Sequence, residues 1–275
     1  MSLPRAVGLT VYDLYQIEHA NDIRIAYLAL EGSHIYNTNI DHVSDTDFLA
    51  VIEPDARDIL LQRADVNISA HSDYNHHDVR IWTPYTVMSS LQKSAMDIIS
   101  ILKADNVYLT HGPIGEFMKQ ITEHADDFIS LKTAIRAHES AKHALDKVER
   151  HVTGNSYRTA KQLAFAMRQS HIATQIIDTG TYQIPIDIDT ADAIKSLRRM
   201  ACDVEITDSE FMNMVDAVAM RVRQQIDMNE DHIRHGTTCT NLPKSVDSRI
   251  IDAWNQKLIS TLSDVVENAH IRRIE

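Results

Sequence analysis

Two short apolar runs near the N-terminus dominate the hydrophobic pattern of the chain. Residues 23–30 (IRIAYLAL) are rich in Ile, Leu and Tyr and are too few for a typical helix, so they predict a buried β-strand. Residues 48–52 form the second run and predict a second strand, which Pro54 ends because proline lacks a backbone N–H. Before both strands, the apolar spacing of residues 10–21 predicts a helix that packs against the first strand.

The pattern changes from strands to helices near residues 110–115. Before that point, residues 79–82 predict a third strand. Thr83 is a good N-cap and Pro84 suits the first helical position, which predicts one helix from Thr83 to about residue 104. After the change, helical spacing recurs and strand signals cease. The later predicted helices cover residues 131–151, 156–179, 189–201, 208–228 and 247–268.

Three segments lack a strong period. Residues 58–63 predict a short helix, whereas residues 65–78 and 229–248 are polar and predict loops. The whole pattern predicts an α+β fold, in which a small mixed β-sheet domain (residues 1–110) precedes an all-helical domain (residues 111–275). A cleft between two such domains is the default ligand site.

Composition and charge narrow the class of protein. The 275 residues contain 27 Lys and Arg against 39 Asp and Glu, a net charge of −12 at pH 7. This balance argues against a general nucleic-acid clamp, whose surface would be basic, and leaves a local basic groove open. Two cysteines imply no disulfide framework. Apolar runs of membrane-spanning length and the apolar core of a signal peptide are both absent from the sequence, which predicts a cytoplasmic protein without a membrane partner.

The first candidate site residues stand where the first strand ends. Gly32 permits a close backbone approach to a ligand because it has no Cβ. Ser33 can cap the following turn, where free backbone N–H groups suit a phosphate. Asp45 and Asp47 then open the second strand at i and i+2, so their carboxylates are expected on one face. Two carboxylates facing a phosphate cradle suit Mg²⁺ bound together with phosphate oxygens.

These motifs resemble the nucleotidyltransferases of the DNA polymerase beta superfamily, and more closely their bacterial and phage type with the pattern G-S-x-x-Y-G…S-D-x-D. The matching residues are Gly32, Ser33, Tyr36, Ser44, Asp45 and Asp47. The chain departs from the family at His34, where the family has Arg, and at Asn37, where the family has Gly. Asn is the next best residue for a left-handed backbone, so the turn is expected to persist.

The resemblance extends to two further segments. Asp78, in HHDVRIWTPYTVMSSL, matches the third carboxylate of the family. Lys161 and Arg168 match a family helix with the pattern K-x-x-x-H-x-x-R, in which Phe165 replaces the His. The resemblance implies that these two cations contact a phosphate or the acceptor.

The resemblance implies a metal-dependent nucleotidyltransferase that moves a nucleoside monophosphate from an NTP to an acceptor hydroxyl and releases pyrophosphate. Asp45, Asp47 and Asp78 would be catalytic and hold Mg²⁺ or Mn²⁺. The NTP would be bound by Gly32, Ser33, His34, Tyr36, Lys161 and Arg168. Arg198 and Arg199 fit equally well to a further family arginine before a turn. The acceptor (RNA, protein or a small molecule), the preferred nucleotide and the oligomeric state stay open.

Other interpretations fit the same residues. His34 and Asn37 favour a catalytically silent member of the fold that binds a nucleotide or a partner protein. The histidines of residues 65–78 and 229–248 suggest a metal hydrolase, although their spacing fits no zinc template. Without the resemblance, the three aspartates are surface acids or strand caps, and the two cations flank a core Phe. Metal-dependent NTP binding without pyrophosphate release would distinguish the silent member from the enzyme.

Overall fold

The computed structural model of the chain describes residues 10–40, 44–60, 68–72, 77–104, 106–150, 155–203, 205–236 and 239–271. Within these ranges the chain forms ten α-helices, a short 3₁₀ helix and a five-stranded mixed sheet, which confirms the predicted α+β fold. The strands are β1 (Ile25–Glu31), β2 (Thr46–Ile52), β3 (Ile68–Ser72), β4 (His77–Trp82) and β5 (Val107–Thr110). They lie side by side in the order β3-β4-β2-β1-β5.

The centre of the sheet is buried on both faces. In the described sheet, β2 and β4 run parallel and the other neighbouring strands run antiparallel. Residues 26–29 of β1 and 48–51 of β2 have no exposed surface. This burial on both faces explains why the two strands are continuous apolar runs in the sequence. The predicted strands over residues 23–30, 48–52 and 79–82 are confirmed to within two residues at each end.

The described residues divide into two compact units. Unit 1 lies within Met1–Ile35, Asp45–Phe128 and Val246–Glu275, and unit 2 lies within Tyr36–Ser44 and Ile129–Ser245. This division differs from the predicted boundary after residue 110, because the last helix of the chain returns to the sheet unit. There the ring of Trp254 meets the ring of Phe117 edge to face, with centroids 6.0 Å apart.

Six described α-helices belong to unit 1. They are α1 (Val11–Asn21), α2 (Ala56–Leu60), α3 (Pro84–Gln92), α4 (Met96–Ala104), α5 (Gly112–Glu123) and α10 (Ser248–Ile271). Thr10 and Asp13 form a capping box at the start of α1, which confirms the helix predicted over residues 10–21. The single helix predicted from Thr83 to about residue 104 is wrong. Ser94 has a left-handed backbone (φ 56°), so the chain turns there and α4 begins in a new direction.

The described residues of unit 2 form four helices: α6 (Leu131–Glu149), α7 (Ser156–Thr179), α8 (Ile188–Met200) and α9 (Asp208–His235). α7 has the predicted bounds, and Gly180 caps its C-terminus with a left-handed backbone (φ 82°). α9 continues to His235, so the loop predicted over residues 229–248 is wrong for its first third. Asn229 occupies a buried position of α9, where its side chain donates to the Ser170 carbonyl oxygen at 3.1 Å. Because this buried residue is polar, the apolar spacing of the helix is interrupted in the sequence.

The loop predicted over residues 65–78 is also wrong in part, because it contains β3 and the start of β4. β3 pairs with β4 at the edge of the sheet. An edge strand is defined by its backbone ladder and needs no apolar run, so the sequence carries no strong signal for it. Residues 61–67 and 73–76, with His76 and part of the predicted 58–63 helix, lie outside the described residues.

Cys202 and Cys239 are both free, in agreement with the predicted absence of a disulfide framework. Among the described helices, none is both long enough and apolar enough to cross a bilayer.

Candidate functional site

Three carboxylates lie in a row across neighbouring strands of unit 1. Asp47 of β2 is the register partner of Glu31 on β1 and of Asp78 on β4. Register partners point to the same face of a sheet, and neighbouring strands lie about 4.8 Å apart. The fold therefore brings the predicted site residues Asp47 and Asp78 together and adds Glu31, which the sequence patterns did not indicate.

Asp45 stands one residue before β2 begins and is exposed, as is Asp78, whereas Asp47 is half-buried. In the part of the chain that the structure describes, no three His, Cys, Asp or Glu side chains form a group that could hold a metal ion. Mg²⁺ needs no such cage, because it is usually held by one or two carboxylates together with phosphate and water oxygens. The donor set of Asp45 and Asp47 therefore fits Mg²⁺ bound with a nucleotide and does not fit a closed all-protein metal centre.

The turn after β1 approaches the Asp47 carboxylate closely. Gly32 has a left-handed backbone (φ 71°), and a Cβ at this position would lie only 2.6 Å from Asp47 Oδ2. That distance is shorter than any real contact of a Cβ atom, so a side chain at Gly32 would displace the carboxylate. The predicted cradle and the D-x-D motif thus meet at this glycine.

The rest of the turn follows the prediction from the family pattern. Asn37 takes a left-handed backbone with φ 57°, the conformation expected for an Asn at this position of the turn. His34 is half-buried and its Nε2 lies 3.4 Å from Oγ1 of Thr46, the residue between the two aspartates. Ser33 is also half-buried.

Arg80 forms an ion-pair network beside the row of acids. Its Nε and Nη2 donate to Glu31 Oε2 at 3.1 and 2.6 Å, and its Nη1 donates to Asp97 Oδ2 at 2.9 Å. Burial raises the pKa of Glu31 above its ordinary value; Arg80 offsets part of this shift, and the charges of Asp47 and Asp97 add to it. Arg80 lies two residues after Asp78, hence on the same face of β4, and this alternation is the signal that could have identified it.

Tyr36 and Arg168 lie in unit 2, where they contact each other. The guanidinium of Arg168 lies 4.2 Å from the ring centroid of Tyr36 and 5.3 Å from that of Phe165, which is cation–π geometry. Burial lowers the pKa of Arg168, and the nearby charge of Arg198 lowers it further. Tyr36 is only 4% exposed. Lys161 is exposed. The phosphate contacts of these cations stay predictions.

The structure distinguishes the two arginines that fit the sequence equally well. Arg198 is 5% exposed, and its Nη1 donates to the Thr38 carbonyl oxygen at 2.9 Å while its Nη2 donates to Ser44 Oγ at 3.1 Å. Arg199 is exposed. Arg198 is therefore the arginine that contacts the loop between the two motifs.

Comparisons with known proteins add little to this geometry. No protein-family model matches the chain, and no curated protein matches it. Among solved structures, the chain is similar to a nucleotidyltransferase-like protein from Exiguobacterium sibiricum 255-15, with 8% sequence identity and a TM-score of 0.30. The similarity covers 80% of this chain and 72% of that one. At this TM-score it carries no argument, so the function is inferred from the site itself.

Proposed function

We propose that the protein is a metal-dependent nucleotidyltransferase, which transfers a nucleoside monophosphate from an NTP to an acceptor hydroxyl and releases pyrophosphate. The observation that supports it most is the contact between the Gly32 turn and the Asp47 carboxylate. A backbone cradle without a Cβ suits phosphate oxygens, and a carboxylate beside it suits the cation that accompanies them. Asp78, the register partner of Asp47, supplies a further acid on the same face.

Each residue of the site has a defined task in this proposal. Mg²⁺ or Mn²⁺, when bound, would neutralise charge on the phosphate oxygens. Asp45 and Asp47 would hold it, and the backbone of Gly32 and Ser33 would donate hydrogen bonds to the phosphates. Asp78 would take the proton of the acceptor hydroxyl, whose oxygen bonds to the α-phosphorus as the bond to pyrophosphate breaks.

Label transfer tests the proposal. The purified protein is incubated with each NTP labelled at the α-phosphate, with Mg²⁺ and a cell extract, and both the labelled product and pyrophosphate are measured. We expect Mg²⁺-dependent transfer that is lost in Asp47→Asn and retained in Asp264→Asn, which removes an exposed carboxylate from α10 of the same unit. Absence of transfer from all four NTPs would contradict the enzyme assignment.

A second candidate function is a nucleotide-binding protein without catalysis. The observation that favours it is His34, which stands where the resemblance places an arginine and whose Nε2 lies 3.4 Å from Thr46 Oγ1. Such a protein would bind NTP with Mg²⁺ through the same turn and the Asp45–Asp47 pair. It would show Mg²⁺-dependent NTP affinity in calorimetry but no pyrophosphate release.

A further inference from the structure

The loop between the two motifs is held by side chains of α7 and α8 within unit 2. The described residues of this loop are 36–40 and 44. Arg168 packs on Tyr36, and Lys195 Nζ donates to Asn37 Oδ1 at 3.0 Å. Arg198 contacts both ends of the loop, because its two terminal nitrogens reach residues 38 and 44. Removal of Arg198 would therefore remove one of the links between residues 38 and 44.

The environment of Arg198 is unusual for a structural arginine. Among the described residues, the hydrogen-bond acceptors that Arg198 meets are a carbonyl oxygen and a hydroxyl oxygen, both neutral, although its side chain is buried. Its Nε is buried without a hydrogen-bond partner among the described residues, and the charge of Arg168 is close. Burying a cation in this way opposes folding. The arrangement is therefore better explained by the geometry that it imposes on the loop than by a gain in stability.

That geometry is fixed most tightly at Ser44. Ser44 Oγ accepts from Arg198 and from the Ile40 N–H at 2.8 Å, while the Ser44 N–H donates to the Ile40 carbonyl oxygen at 2.9 Å. The hydroxyl and the backbone N–H of Ser44 are therefore both hydrogen-bonded. The next residue along the chain is Asp45, the first acid of the D-x-D pair.

We propose that Arg198 is a positioning residue for the acid pair: by fixing Ser44 it sets where Asp45 enters β2, and thereby the geometry with which Asp45 and Asp47 hold a divalent cation. The inference rests on the proposed function. It assigns a role to Arg198 and none to the adjacent Arg199.

Arg198→Lys tests the proposal against Arg199→Lys, a matched control that makes the same change at an exposed position. Lysine keeps the charge, but a single ammonium does not reproduce the planar fork that reaches residues 38 and 44. Two quantities are measured: the hydrogen exchange rates of the Ile40 and Ser44 amides by NMR, and the affinity for Mn²⁺ by calorimetry with NTP present. Ser44→Ala, which removes the shared acceptor, is the second variant and serves if Arg198→Lys fails to fold.

We expect Arg198→Lys and Ser44→Ala to speed exchange at both amides and to weaken Mn²⁺ binding by about tenfold or more, the usual scale for groups that orient metal ligands. Arg199→Lys should change neither quantity. Faster exchange with unchanged Mn²⁺ affinity would make Arg198 a purely structural residue. That result, or unchanged exchange, would overturn this inference and leave the proposed function standing. A wild-type protein that binds no Mn²⁺ would overturn the proposed function together with the inference.

Discussion

Gly32→Ala is the substitution whose effect follows most directly from the structure. The new Cβ would lie 2.6 Å from Asp47 Oδ2, whereas ordinary contacts begin at 3.4 Å. The carboxylate would have to move by about 0.8 Å. A displacement of about 1 Å in a reacting group lowers rates by roughly a hundredfold. We therefore expect nucleotidyl transfer to fall by about that factor.

The stability change has two parts, and a second glycine separates them. Alanine at φ 71° costs about 1–2 kcal/mol for the left-handed backbone alone. Gly236 has nearly the same backbone (φ 67°) and open space around its Cβ position, so Gly236→Ala measures the backbone cost without the clash. The excess destabilisation of Gly32→Ala over Gly236→Ala is then the cost of moving Asp47.

The assay combines urea denaturation of both variants with NTP affinity and transfer rate in Mg²⁺. Asp47→Ala in the Gly32→Ala background should recover the excess stability, because the clashing carboxylate is gone, but should not recover transfer. The close approach of the turn to Asp47 would be refuted if Gly32→Ala lost no more stability than Gly236→Ala and kept wild-type NTP affinity and transfer.

Four further predictions concern the row of acids. Asp45→Asn and Asp47→Asn should each abolish transfer and leave the urea midpoint nearly unchanged; wild-type rates in either variant would refute their metal role. Asp78→Asn should keep NTP affinity by calorimetry within a few fold and lower turnover by about a hundredfold, the scale of general acid–base catalysis; equal turnover would reduce Asp78 to a strand cap. Arg80→Met should lower the free energy of unfolding by about 1–3 kcal/mol, because it removes charged hydrogen bonds from half-buried Glu31; an unchanged urea midpoint would contradict this. Burial raises the pKa of Glu31, so the folded chain binds this proton more tightly than the unfolded chain does. The free energy of unfolding should therefore fall as pH rises from 4.5 through the raised pKa. Glu31→Gln should flatten that part of the curve of unfolding free energy against pH, measured by denaturation at several pH values.

Elements with strong local signals could be predicted from the sequence. α7 is bounded by Asn155 as its N-cap and by Gly180 after its last turn, and both ends were predicted correctly. Residues 25–30 of β1 and 48–52 of β2 are apolar and buried because the two strands are central in the sheet. In each of these cases the residues that define the element lie within the element itself.

The rest depends on partners that are distant along the chain. Glu31 joins the row of acids only through its register with Asp47, and no local pattern encodes strand register. Arg198 is distinguished from Arg199 by its contact with a loop more than 150 residues earlier in the chain. The hydrogen bonds from Arg198 to that loop span 160 and 154 positions. Ser94, whose left-handed backbone separates α3 from α4, is not a glycine, so the sequence gives no local signal for this break.

The packing of the last helix determines what a simple spectroscopic probe can observe. Trp254 of α10 lies against Phe117 and the ring of His124, and Trp82 lies under Arg80 on β4. These are the two tryptophans of the chain, and both belong to unit 1. Intrinsic tryptophan emission would therefore follow the folding of the sheet unit, including the packing of α10 against α5. Far-ultraviolet circular dichroism would instead be dominated by the helices of both units. Unfolding curves that coincide for the two signals would show that the units melt together, and curves that separate would give the stability of each unit.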